Sequence, residues 1–263
     1  MADLAVILGD LAAESQVADA LVAGLDEAGW ARPTPAPGWT VAHQIAHLAW
    51  TDRKALIAAR RPRRWRAEVE NLLRIGEAYM DRGAAEGAAE PPEQLLARWR
   101  AGRAELAEAL AAVPEGAKLP WYGPPMSAAS MATARMMETW AHGQDLADAL
   151  GVVREPSGRL WHIARFGTRT RDFAYKLHSL APPPGQFRVE LAAPDGATWA
   201  FGPEDAEGRL TGSALDFCLV VTQRRHPDDT GLVATGGEVR EWLGIAQAFA
   251  GPPGAGRAPG QFV

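Results

Sequence analysis

Between the rigid turn LPWYGPP, Leu119 to Pro125, and a change of character after Gly151 lies a helical stretch, MSAASMATARMMETWAHGQDLADALG, around which the rest of the chain has to be arranged. Near its middle stand Glu138 and His142, four residues apart. On an α-helix that spacing stacks two side chains on one face, a turn apart, where both reach a single ion. The pair is incomplete, because a catalytic zinc site takes three protein ligands and keeps a fourth position open. A third ligand has to come from another helix, and His47, in the helical stretch VAHQIAHLAW, is the best candidate. Against this, a lone Glu-x-x-x-His pair is a weak motif that also occurs as a surface ion pair.

Three further stretches carry helical periodicity. Leu4, Ile7, Leu8, Leu11, Val17, Leu21 and Leu25 recur at intervals of three and four and predict an amphipathic helix from Leu4 to Gly29. The proline-rich segment Trp30 to Gly38 cannot propagate it. Thr40 then stands as the N-cap of a helix from Val41 to about Arg61, with Ile45, Leu48, Trp50 and Leu56 as apolar contacts. His43 and His47 share a face of that helix, and a histidine on a core-facing stripe is more often structural than ligating. A helix is expected over Glu68 to Met80, a mobile junction of small residues over Asp81 to Pro92, and a long helix over Glu93 to Val113. Four long helices so patterned predict a bundle.

After Gly151 the pattern shortens. One or two helices are expected within Pro156 to Ser179, followed by the junction APPPG at Ala181 to Gly185. Strand candidates are FRVELAA at Phe187 to Ala193, TWAFG at Thr198 to Gly202, RLTGSA at Arg209 to Ala214 and the short GLVATG. ALDFCLVVTQ and EVREWLGIAQAF read as helices, and Gly251 to Gly260 as a loose or wrapping tail. The expected class is α+β, with a helical bundle over residues 1–155 and a smaller α+β domain over 156–263.

Charge and cysteine usage exclude several functions. The net charge is −5, and the basic run RRPRRWR from Arg60 to Arg66 is interrupted by Pro62, which reads as a solvated loop rather than a nucleic-acid surface. The single cysteine, Cys218, permits no internal disulfide and lies in the apolar run ALDFCLVV, where a buried thiol is expected rather than a nucleophile. No segment approaches the roughly 18 apolar residues of a membrane span, and no basic start precedes an apolar block at the N-terminus. The expected setting is cytoplasmic, with no membrane partner.

The elements PGWT at Pro37 to Thr40 and AHL at Ala46 to Leu48, with Arg135, Glu138, His142 and Asp145 in the pattern R-x-x-E-x-x-x-H-x-x-D, resemble the DinB-like superfamily. The nearer resemblance is to the branch of mycothiol-dependent maleylpyruvate isomerase and mycothiol S-transferases, and to an actinobacterial metal-binding subfamily within it. The resemblance implies a DinB-like four-helix bundle followed by a smaller domain related to sterol-carrier folds. It implies His47, Glu138 and His142 as ligands of one divalent metal, zinc by usual assignment, and gives His43, one turn earlier, no ligand role. It implies mycothiol as co-substrate, a small electrophilic partner, and an anchoring arginine whose nearest counterpart is Arg224, with Arg225 beside it. An exposed salt-bridging role suits those arginines equally.

Around the metal, Asp145 is expected to orient a ligand or, equally, to lie on the helix surface, Arg135 to pair with Glu138 or Asp145, and His43 to lie near the site without ligating. Trp121 and Tyr122 line a pocket mouth or pack under their loop. Met131, Met136 and Met137 read as core filler. The HExxH signature is absent, so no glutamate is pre-placed as a general base. Three readings follow: metal-dependent thiol transfer or thiol-assisted isomerisation; a thiol-independent lyase, hydrolase or cyclase whose metal polarises a carbonyl; and a non-catalytic small-molecule binding protein stabilised by its metal.

Overall fold

The computed structural model describes residues 3–76 and 78–261, which form two compact units, Met1–Arg154 and Glu155–Val263. The first unit is helical: α1 (Leu4–Val22), α2 (Glu27–Trp30), α3 (Val41–Arg60), α4 (Trp65–Ile75), α5 (Ala78–Ala88), α6 (Pro92–Ala111) and α7 (Ala128–Leu150). α1 packs on α7, and α3 is held between α6, α5 and α7. Local chemistry sets the ends of the two helices that matter most. Thr40 caps α3 at its N-terminus, Ser127 accepts from the Ser130 amide at the start of α7, and Gly151 closes α7 in the left-handed conformation at φ 68°.

Three expectations are corrected. The first helix stops at Val22 rather than Gly29, because Asp26 caps a new turn by accepting from the Gly29 amide at 2.8 Å. The helix expected over Glu68 to Met80 is divided into α4 and α5, with Gly76 at φ 73° between them; Glu77, inside that stretch, lies outside the described residues. Most of Asp81 to Pro92, read as a mobile junction, is helix α5. Its small residues make close packing against α3: a Cβ on Gly83 would meet the Trp50 indole at 2.5 Å, and one on Gly87 would meet Ala46 Cβ at 2.9 Å. Small size read as flexibility is close helix contact.

Among the described residues the bundle core includes two apolar clusters. One gathers Val22, Trp30, Ile45, Leu48, Trp99 and Leu146; the other gathers Ile7, Leu106, Leu110, Leu119 and Met131. Met136 and Met137 are buried as filler, as expected. Charged clamps tie the helices across these clusters. Asp19 on α1 accepts from Arg100 at 2.6 and 2.8 Å and from Arg103 at 2.9 Å, both on α6. The Arg100 hydrogen bond, opposed by burial and helped by Arg103, holds the Asp19 carboxyl below its usual range. Because that pKa is lowered on folding, the clamp stabilises above the unfolded carboxyl pKa of about 3.9 and is lost as pH falls through the folded value. Acid titration of Asp19→Asn should accordingly show a shallower loss of stability below about pH 4 than the parent chain.

The second unit contains α8 (Leu160–Arg169), α9 (Arg171–Leu177), β1 (Arg188–Ala192), β2 (Thr198–Phe201), β3 (Arg209–Ser213), α10 (Ala214–Val221), β4 (Val233–Thr235) and α11 (Gly237–Ile245). The strands make one mixed sheet in the order β2-β1-β3-β4, with β1 and β3 parallel and both outer pairings antiparallel. Val189 and Leu191 of β1 and Leu210 of β3 are buried, as alternation along a half-covered strand requires. Phe187 and Phe217 meet Trp242 of α11 at ring separations of 5.7 and 6.0 Å. Cys218 is fully buried in α10, and burial pushes its thiol pKa up, opposed by a backbone hydrogen bond; it is a structural residue. Among the described residues no helix is long and apolar enough to cross a membrane.

Candidate metal centre

α3 and α7 pack side by side in the bundle, and the ligand-type residues meet at that contact. His47, Glu138 and His142 offer three ligand atoms that all lie within 4.8 Å of one another. Glu138 Oε2 is 3.2 Å from His142 Nε2 and 3.7 Å from His47 Nε2, and the two imidazole centroids are 4.6 Å apart. A tetrahedral ion with bonds of about 2.0–2.1 Å sets its ligand atoms about 3.4 Å apart. The donor set and both histidine–glutamate separations therefore fit a divalent ion. The side chains are 8%, 20% and 11% exposed in chain order, so the cluster is recessed but open on the Glu138 side. Burial alone would raise the Glu138 pKa, yet His142, His47 and the charge of Arg135 hold its carboxyl well below the usual range.

His43 takes no part in the cluster. Its Nδ1 accepts from the Thr40 amide at 3.3 Å and lies 2.9 Å from Thr40 Oγ1, which makes it the N3 member of a capping box. Arg135 does not hydrogen-bond Glu138 or Asp145 as expected from the pattern. Its Nε donates to Asp52 Oδ1 of α3 at 2.8 Å, and both side chains are nearly inaccessible. Asp52 was not visible as its partner because 83 residues separate them. Asp145 is fully buried, and its Oδ2 is 3.9 Å from His142 Nδ1, too far for a hydrogen bond. That nitrogen meets Gln44 Oε1 of α3 at 2.5 Å instead.

Trp39 and Gln44 are the two site residues that sequence reasoning missed. The Trp39 indole lies over the histidines, 5.2 Å from the His47 ring and 6.0 Å from His142, nearly parallel to the latter at 15°. Its Nε1 donates to Asp81 Oδ1 of α5 at 3.2 Å. The signal for Trp39 was its place in PGWT; for Gln44 it was a polar residue, here 0% exposed, among core positions of α3. Trp121 and Tyr122 lie elsewhere. Trp121 stacks on Trp65 at 5.3 Å, and Tyr122 packs on Trp65 at 4.8 Å and Tyr79 at 6.3 Å. Nearby, Lys54 Nζ pairs with Glu68 Oε2 at 2.5 Å and lies over the Trp50 ring.

In the second unit Arg224 follows α10, half-buried, with Nη1 donating to the Thr222 carbonyl at 2.6 Å. Arg225 donates to the Arg224 carbonyl at 2.7 Å. In the first unit the basic run Arg60 to Arg66 ends α3, passes through a 3-10 turn at Pro62–Arg64 and enters α4; its arginines are exposed, while Trp65 is buried.

Fold and site together define a helical-bundle protein with a two-histidine, one-carboxylate cluster, continued by a small mixed-sheet unit. Residues 11–147 match the model of the mycothiol maleylpyruvate isomerase N-terminal domain, and residues 183–235 match a model described as wyosine base formation. A Mycobacterium tuberculosis protein described as uncharacterized, from strains CDC 1551 / Oshkosh and H37Rv, is 55% identical over 258 residues, covering 98% of this chain and 100% of the relative. The crystal structure of a mycothiol-dependent maleylpyruvate isomerase is similar in fold, with TM-score 0.61 at 17% identity over 88% of this chain and 92% of that one. A single-residue mutant of that isomerase matches with TM-score 0.62 at 18% identity over the same shares. The chain belongs to the mycothiol maleylpyruvate isomerase N-terminal domain family.

Proposed function

We propose that this chain is a divalent-metal-dependent enzyme that brings a low-molecular-weight thiol, mycothiol, onto a small electrophilic substrate, by transfer or by thiol-assisted isomerisation. The observation that carries the reading is the convergence of His47, Glu138 and His142 on one point with a solvent-reachable side. A bound divalent ion would supply the charge that holds a thiol, ordinarily of pKa about 8.5, as thiolate near neutral pH. Zinc suits two imidazoles and a carboxylate best. His47, Glu138 and His142 hold the reacting centre, and the Trp39 indole closes one side of it against water. The sulfur's lone pair forms a C–S bond to the electrophilic carbon while the π pair of the activated double bond moves onto the conjugated carbonyl. If the electrons return after rotation about the loosened bond, the C–S bond breaks and an isomer leaves with the thiolate restored. If a proton is taken up at the adjacent carbon, the conjugate is the product.

Arg224, a half-buried residue, is the proposed anchor for an anionic substrate, since a guanidinium is a bidentate partner for a carboxylate. The deciding experiment supplies zinc-loaded protein with mycothiol and a panel of activated double bonds, maleylpyruvate included. A conjugate or isomer that requires both metal and thiol is expected. Turnover without thiol would transfer the site to lyase, hydrolase or cyclase chemistry. Metal binding without turnover of any member, with or without thiol, would leave a binding protein.

A further inference from the structure

The hydrogen bonds behind His142 have a direction that can be read from a backbone carbonyl. The Trp39 carbonyl can only accept, and Thr34 Oγ1 lies 2.9 Å from it, so the Thr34 hydroxyl proton is spent there. Thr34 Oγ1 then offers only lone pairs to its other neighbour, the Gln44 amide at 2.8 Å, which has to present its N–H. That leaves Gln44 Oε1 facing His142 Nδ1 at 2.5 Å as an acceptor, and Nδ1 carries the ring proton. The neutral ring's lone pair is then at Nε2, 3.2 Å from Glu138 Oε2. Two lone pairs at that distance repel unless a cation or a second proton lies between them.

We infer that Gln44 is a positioning residue: polarised by Thr34 and the Trp39 carbonyl, it fixes His142 as the Nδ1–H tautomer and turns Nε2 toward the ion. The last step rests on the metal reading above; the tautomer does not. The relay starts in the proline-rich connection before α3, which is pinned by the Thr34 amide donating to the Trp39 carbonyl at 2.8 Å and the Val41 amide donating to the Arg32 carbonyl at 3.0 Å. His47 has no equivalent support, since its Nδ1 is buried without a hydrogen-bond partner among the described residues. The two histidines are therefore held differently, His142 by a directed hydrogen bond and His47 by ring packing under Trp39. Asp145, at 3.9 Å, favours a proton on the same nitrogen through space but does not fix its direction.

The test is made on metal-free, ring-15N-labelled full-length protein at a pH where the histidines are neutral, followed by zinc competition against a chromogenic chelator. The parent chain and Gln44→Glu, which keeps the acceptor, should show His142 as the Nδ1–H tautomer. Gln44→Leu should move it to Nε2–H or a mixture and weaken zinc binding by about 10–100-fold, the usual effect of removing a ligand's hydrogen-bond partner. Thr34→Val, which frees the amide to reverse, should give a tautomer mixture and serves if Gln44→Leu does not fold. An Nε2–H tautomer in the parent chain, or an unchanged tautomer in Gln44→Leu and Thr34→Val, overturns the inference. A parent chain with the Nδ1–H tautomer that binds no zinc overturns the metal reading and leaves the relay standing.

Discussion

His47→Ala should reduce divalent-metal content after dialysis from near one ion per chain to near zero, while His43→Ala keeps it. The two residues are one helical turn apart on α3 and chemically identical, so the comparison isolates geometry. His47 Nε2 lies 3.7 Å from Glu138 Oε2 inside the cluster, whereas His43 Nδ1 is engaged with Thr40 at the end of the helix. Removing one of three ligands leaves a two-point site, Glu138 and His142, that water competes for. His43→Ala loses half of a capping box instead and should cost about 0.5–1 kcal/mol of stability with metal content unchanged. Elemental analysis together with thermal unfolding reads both effects. The opposite pattern would place the site one turn earlier and remove Glu138 and His142 as its partners.

Arg135→Ala should be the most damaging single change in the bundle, at about 3–5 kcal/mol, the usual consequence of stranding one member of a buried ion pair. Arg135 and Asp52 side chains are 2% and 6% exposed and joined at 2.8 Å, so the truncation leaves an uncompensated carboxylate between α3 and α7. These are the helices that carry the metal ligands. Arg135 also contributes positive charge near Glu138, so the folded remainder should lose some of the bias that keeps Glu138 ionised. The double replacement Arg135→Met with Asp52→Leu removes both charges and should recover most of the lost stability, because buried pairs seldom outperform apolar residues of similar volume. Denaturant unfolding of the two variants separates them. Equal losses would mean that Arg135 acts through shape rather than charge.

How far the residues could be read follows the range of the interaction. Thr40 at the start of α3 and Gly151 at the end of α7 were legible, because caps depend on neighbours within a turn or two. The same locality made Glu138 and His142 legible as a pair, since four residues on a helix are one turn in space. Long-range partners were not. Gln44 meets His142 across 98 residues and Asp52 meets Arg135 across 83, and neither residue type announces a partner at that distance. Asp145, expected either to orient a metal ligand or to lie on the helix surface, is fully buried with its carboxylate 3.9 Å from His142 Nδ1, and the hydrogen-bond partner of that nitrogen is Gln44. Gly83 and Gly87 show the same limit from the packing side, since their lack of a side chain read as flexibility until Trp50 and Ala46 were seen against them.

Residue order alone was enough for a helical bundle, a following α+β segment and two ligand-type side chains on one helix face, because these depend on periodicity and on caps. Tertiary structure brought His47, already the candidate third ligand, against Glu138 and His142, and it alone decided that Trp39 covers the cluster and that Gln44 is the hydrogen-bond partner of His142 Nδ1. Those are matters of how α3 rotates against α7, and that rotation is set by the packing of the whole bundle rather than by any short segment of it.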